Sequence, residues 1–159
     1  MNKTKLVEKV IAALMGELDA SMRAARAAHA EATHEQSRAD NKYDTRGLEA
    51  SYLARGQSRQ IAETEEAVAH YRAMTLRNFS AQDPIDIGAL VVLKGPGGSA
   101  SYFVGPCAGG TEITQEKTEV LVITPQSPLG QQIMGKHQGD GLRLEIAGSR
   151  SDYKVVQVT

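Results

Sequence analysis

The sequence predicts an α+β chain: an antiparallel α-helical coiled-coil hairpin followed by a small domain with a bent antiparallel sheet and one short helix. Three observations predict it. Apolar residues recur at three- and four-residue spacing through residues 2–38 and again through 44–78, the period of helices with one buried face. Between them lies a polar stretch containing Asp40, Asn41 and Asp44, residues whose side chains bond nearby backbone and favour a reversal. Beyond Asp83-Pro84 the apolar residues fall into short runs separated by Gly- and Pro-rich links, which reads as strands joined by tight turns. The expected domains are therefore 1–80, a hairpin with its tip near 37–46, and 84–159.

In the first helix the apolar row runs Leu6, Val10, Leu14, Leu18, Met22, Ala25 and Ala32, with large side chains at the base and alanines toward the tip. His29 falls in the same row and leaves the seam imperfect there. The second row runs Leu48, Tyr52, Ile61, Ala62, Val68, Tyr71 and Met74, broken by Gly56 and the polar Gln57, Ser58 and Gln60. Folding the chain near Lys42 sets Ala32 against Tyr52, Met22 against Ala62, Leu14 against Tyr71 and Val10 against Met74. Large residues then meet small ones near the tip and larger partners meet near the base, as knobs filling holes require. Helices of about 35 residues, rising ~1.5 Å each, would carry the turn roughly 50 Å from its base. The same pattern also suits a folded-back bundle or pairing with a second chain, and a monomer is the expectation.

At the tip, Asp44 or Thr45 can cap the returning helix, and Asp44 complements the positive end of its dipole. Gly47 weakens that first turn. On turn chemistry alone this is a solvated αα-turn.

The second domain is expected to hold strands at 85–94, 100–104, 119–124, 142–147 and 153–158. Gly95-Pro-Gly-Gly98, Gly105-Pro106 with Gly109-Gly110, and Gly148-Ser149 mark the links. A short helix is expected at 127–135. Ser127 caps it, Pro128 takes the first helical position, and Leu129, Ile133 and Met134 form its buried face over the sheet.

Composition narrows the function classes. A formal charge of −1 gives no general pull toward nucleic acid or an anionic membrane. The single cysteine, Cys107, excludes an internal disulfide, and no CxxC or His/Cys spacing suits zinc. No apolar run is long enough for a signal peptide or a span, so a cytoplasmic location without membrane contact is expected.

Two sets of residues resemble a known family. Ser127-Pro-Leu-Gly130, continuing through Ile133-Met-Gly135-Lys136 to Gly139-Asp140 and a following strand at 142–146, is similar to the C-terminal signature of the Gre family of bacterial transcript cleavage factors. The preceding hairpin, with Asp40-Asn41 and Tyr43 at its tip, resembles that family's coiled coil. The resemblance implies an FKBP-like C-terminal domain that docks on RNA polymerase near its secondary channel through Ser127, Pro128, Leu129, Gly135, Lys136, Gly139 and Asp140. It implies a hairpin that enters the channel, where tip acids, here Asp40 and Asp44, share the polymerase's Mg²⁺ and assist cleavage of a backtracked transcript. Mg²⁺ favours hard oxygen ligands and is held by only one or two carboxylates. Arg38 and Arg46 would lie near the nascent RNA 3′ end. The free protein would hold no metal stably and would act as an accessory factor, not an enzyme.

The tip departs from the family pattern, which has Asp, two residues, Glu-Asn, two more, then Tyr. With Asp40-Asn41 laid on Glu-Asn, Ser37 takes the Asp position and Tyr43 arrives one residue early. Glu35 and Asp44 are near but out of register. Two further readings therefore stand beside a cleavage factor: a channel-binding regulator that does not cleave, and a coiled-coil adaptor unrelated to transcription.

Arg23, Arg26, Arg38, Arg46, Arg55 and Arg59 offer phosphate contacts along the arm. The interspersed Glu31, Glu35, Glu49 and Glu63 make a solvated ion-pair surface an equal reading. A prolyl isomerase would need an aromatic pocket, for which this region has only Tyr102, Phe103 and Tyr153. His137 reads as solvent-facing, and Lys136 either pairs with a partner's acid or caps the short helix. Cys107 reads as turn filling, and Gly95-Pro-Gly-Gly98 as a hairpin link.

Overall fold

The computed structural model describes residues 1–33, 46–146 and 148–159. Ser37, Arg38, Asp40, Asn41, Tyr43 and Asp44 lie outside the described residues, as does Glu35.

Helix α1, Lys3–Thr33, starts where Asn2 Oδ1 accepts from Lys5 N–H at 3.2 Å, which satisfies one of the first free donors. Helix α2, Arg46–Ala73, runs through Gly56 without a break and ends before residue 78, the expected limit. There Phe79 buries its ring, with the Arg77 guanidinium 4.1 Å and Lys3 Nζ 5.0 Å from the centroid. Holding that ring draws the chain off the helical path.

By compactness the chain forms two units. One is Ile11–Ala69, and the other joins Met1–Val10 to His70–Thr159.

In the first unit, α1 buries or half-buries Ile11, Leu14, Leu18, Ser21, Ala25 and Ala28, while α2 does so at Gln57, Ile61, Thr64 and Val68. Steps of three and four alternate on both helices, the heptad spacing of a shared seam. Every described member of the expected α1 row, Leu6, Val10, Leu14, Leu18, Met22 and Ala25, is buried or half-buried. His29 is exposed, the imperfection expected in that seam, with Ala28 beside it buried; on α2, Ala62 of the expected row is exposed.

The second unit is built on a six-stranded sheet. Its strands are β1 Leu90–Gly95, β2 Gly98–Val104, β3 Glu112–Gln115, β4 Thr118–Ile123, β5 Gly141–Ile146 and β6 Ser149–Val158, in the order β3-β4-β2-β1-β6-β5. Two expectations fail here. β3 is an additional strand, and β2 and β4 run parallel, so the sheet is mixed and not antiparallel throughout. The cause is the β3–β4 hairpin: the chain leaves β2, passes to the outer edge as β3, and returns as β4 between them. Helix α3, Pro128–Ile133, then carries the chain to β5 at the far edge.

One face of the sheet packs Val91, Leu93, Val104, Ile123, Leu144, Val155 and Val158 with Ile133 of α3, and with Phe79, Ile85 and Ala89. The other face carries the buried Leu90, Phe103, Ile113, Val120 and Val122. On that side Lys9 Nζ donates to Thr114 O at 2.6 Å and Gln115 Nε2 to Asn2 O at 3.1 Å. The first turns of α1 are thereby tied to β3.

Candidate partner-binding site

The segment after β4 is a corner fixed by local bonds. Ser127 has extended backbone, φ −65° and ψ 153°. Its Oγ accepts from Gly130 N–H at 3.1 Å and donates to Thr124 O at 2.7 Å. Pro128 follows at the first helical position, where a missing N–H costs nothing. A Cβ on Gly130 would stand 1.9 Å from Thr124 O, so the helix can sit this close to the end of β4 only with glycine there.

α3 closes at Gly135, whose φ of +76° suits a residue without a Cβ. Gly135 N–H donates to Ile85 O at 2.9 Å, and Ile85 N–H to Lys136 O at 2.8 Å. Gly139, at φ +96°, donates to Val155 O at 2.8 Å. The Asp140 carboxylate accepts from His137 N–H at 2.8 Å and lies 3.7 Å from His137 Nδ1. Ser127, Gly135, Gly139 and Asp140 thus hold the loop's shape through bonds within the chain. Pro128 and Lys136 present exposed side chains, and Leu129 is half-buried.

Beside this corner runs an open groove of about 490 Å³. Ser127, Pro128 and Leu129 line it from the corner and Tyr102, Leu121 and Ile123 from the sheet floor, with Gly109, Gly110, Thr124 and Glu145 also in the lining. Burial and then the neighbouring Tyr153 push the Tyr102 phenol above its ordinary pKa, so it stays neutral. Glu145 Oε2 accepts from Arg150 Nε at 3.0 Å. The groove is largely apolar, with the Glu145 carboxylate, paired to Arg150, in its lining, and suits an apolar side chain presented by a partner.

The groove's floor escaped sequence reasoning because Tyr102 and Leu121 come from strands paired across the sheet. Their alternation with buried neighbours was the available signal. Of the aromatics weighed for an isomerase pocket, Phe103 is fully buried on the opposite face and Tyr153 packs over Gly95, whose Cβ would meet its ring at 2.2 Å.

Asp40, Asp44 and Arg38 lie outside the described residues, and Arg46 is the first residue of α2 with its side chain undescribed. Among the other arginines of the arm, Arg59 Nε pairs with Glu63 Oε1 at 2.8 Å and Arg23 with Asp19, each one turn away. Such exposed pairs reduce the charge offered to phosphate. Cys107 is half-buried, and its carbonyl accepts from Tyr71 Oη at 2.8 Å. Among the described residues no group of three or more His, Cys, Asp or Glu is placed to hold a metal ion. No described helix is long and apolar enough to cross a membrane.

The chain is similar over most of its length to solved structures of a GreA factor homologue. The Gfh1 protein of Thermus thermophilus is 21% identical, with 94% of each chain covered and a TM-score of 0.40. Thermus aquaticus Gfh1 is 22% identical, with 91% of this chain and 90% of that one covered and a TM-score of 0.40. No protein-family model and no curated protein matches the chain.

Proposed function

We propose that the chain is a Gre-like transcription elongation factor that docks on RNA polymerase through the 127–140 segment and carries its helical hairpin into the secondary channel. The observation that carries the reading is the corner at Ser127-Pro128. The signature's polar and glycine residues are used to shape it, which leaves Pro128 and Leu129 beside a largely apolar groove and Lys136 exposed. A heptad-patterned pair of helices precedes it, as a channel-entering hairpin needs.

In this reading the protein is an accessory, and the polymerase performs the hydrolysis. Asp40, with Asp44 near it, offers carboxylate oxygen to the polymerase's Mg²⁺, which stabilises charge on the attacking and leaving oxygens when bound. Arg38 and Arg46 lie close to the phosphates of the nascent RNA 3′ end. Binding to purified core polymerase is expected at micromolar concentration or below, weakened by Leu129→Ala. Absence of binding at micromolar concentration would remove the proposal.

A second reading, channel occupancy without cleavage, is favoured by Ser37 standing where the family pattern has Asp, with Tyr43 displaced by one. Stalled elongation complexes separate the two. A cleavage factor speeds transcript shortening and loses the effect with Asp40→Ala; a non-cleaving occupant leaves the rate unchanged with either protein. A dimer held through residues 1–78 in sedimentation would favour an adaptor.

A further inference from the structure

We infer that Tyr71, in the last turn of α2, is a positioning residue for the groove, fixing through its hydroxyl the loop whose Gly109 and Gly110 line it. The inference rests on the groove being a docking surface, as proposed above.

Tyr71 is 1% exposed and is among the largest fully buried side chains of the described residues. Its Oη donates to Cys107 O at 2.8 Å. The approach is possible because residue 105 is glycine: a Cβ there would lie 2.1 Å from Tyr71 Oη and 3.0 Å from Val122 Cγ1. Burial raises the phenol pKa well beyond its ordinary value, so the hydroxyl stays protonated and a donor near neutral pH.

The loop it holds has a demanding shape. Its ends are hung on β4, with Gly105 N–H donating to Ile123 O and Gly110 N–H to Val122 O, each at 2.8 Å. Between them Ala108 sits at φ +56°, and Gly110 at the end at φ +96°. A left-handed backbone is unfavourable for alanine, so the loop keeps this path because its neighbours impose it. Thr111 Oγ1 contributes by donating to Ala108 O at 2.9 Å, and the Tyr71 hydroxyl contributes from α2. Gly109 then packs against Thr124, its Cβ position 3.3 Å from Thr124 Cγ2, and both residues line the groove. Without the phenol bond, Cys107 O loses a buried donor and the strained Ala108 can relax, moving Gly109 and Gly110.

The test measures the affinity of the full chain for core RNA polymerase in the parent, Tyr71→Phe, Leu129→Ala and the double variant. Amide exchange at Gly110 and Leu93 is followed in the free proteins. Tyr71→Phe keeps the ring and removes the hydroxyl. It is expected to weaken binding about fivefold, the scale of one lost hydrogen bond. The double variant should lose less than the two single losses together. Gly110 exchange should accelerate while Leu93 exchange does not. Gly105→Ala, which displaces the hydroxyl from the loop side, should reproduce the faster Gly110 exchange. Parental affinity in Tyr71→Phe, or strict additivity with Leu129→Ala, would overturn the inference while Leu129→Ala still weakens binding. If Leu129→Ala binds as the parent does, the docking proposal fails by itself. Gly110 exchange then decides whether Tyr71 holds the loop, and an unchanged rate overturns that too.

Discussion

A methyl group added at Gly130 would collide with backbone, since its position lies 1.9 Å from Thr124 O. Gly130→Ala is expected to cost about 3 kcal/mol, the upper range for overpacking a closed site, and a denaturant melt will show it. Gly56 is the opposite case: it lies within α2, and nothing stands within 4 Å of its Cβ position. There Gly→Ala should stabilise by about 1 kcal/mol through helix propensity alone. Asp83 makes a prediction in pH. Ser80 N–H donates to its carboxylate at 2.7 Å, and that bond, first among the causes, holds the carboxyl below its ordinary pKa. A depressed folded pKa contributes stability above the unfolded value and loses it as pH falls through the folded one. The stability difference between the parent and Asp83→Asn should therefore be constant near neutrality and shrink below about pH 4, as urea melts across that range will measure.

The β3–β4 hairpin turns through Glu116 and Lys117, at φ +53° and +67°, where Asn-Gly is the favoured pair. Replacing them by Asn and Gly should stabilise the hairpin by about 1 kcal/mol per relieved residue, read from the shift in thermal midpoint. The same chemistry explains why β3 was not legible in the sequence. No Gly, Asn or Pro marks its turn, and four residues alternating weakly do not announce a strand. α3 was legible because its signals are local. Ser127, Pro128 and Gly135 each act within a turn of where they stand, and Ser127→Ala should cost about 1 kcal/mol with the loss of the cap. The helical seam was legible on α1, where Leu14, Leu18, Met22 and Ala25 of the expected row are all buried or half-buried, and less so on α2, where Ala62 is exposed.

For the molecule as a whole, the order of elements and the α+β class followed from period changes along the chain. The parallel pairing of β2 with β4 did not, because it depends on where a hairpin without turn residues reverses. The candidate site divides in the same way: the 127–140 corner is contiguous and could be read, whereas the floor at Tyr102 and Leu121 exists only after strands pair. At this scale the prediction is that the corner and the groove act together in partner binding. Lys136→Ala should weaken polymerase association with a thermal midpoint close to the parent's, and Leu129→Ala should weaken it as well with a lowered midpoint, since Leu129 packs against the core; parental affinity in both variants would separate the surface from the function.

The central strand β1 has β2 on one side and β6 on the other, with Leu90 and Thr159 exchanging backbone bonds at 2.9 and 3.0 Å. On a translating ribosome, then, β1 waits with an open flank for a partner some sixty positions downstream, roughly the length of a small domain. A nascent chain arrested before residue 149 should be cut readily by protease within 90–146, while the released polypeptide resists.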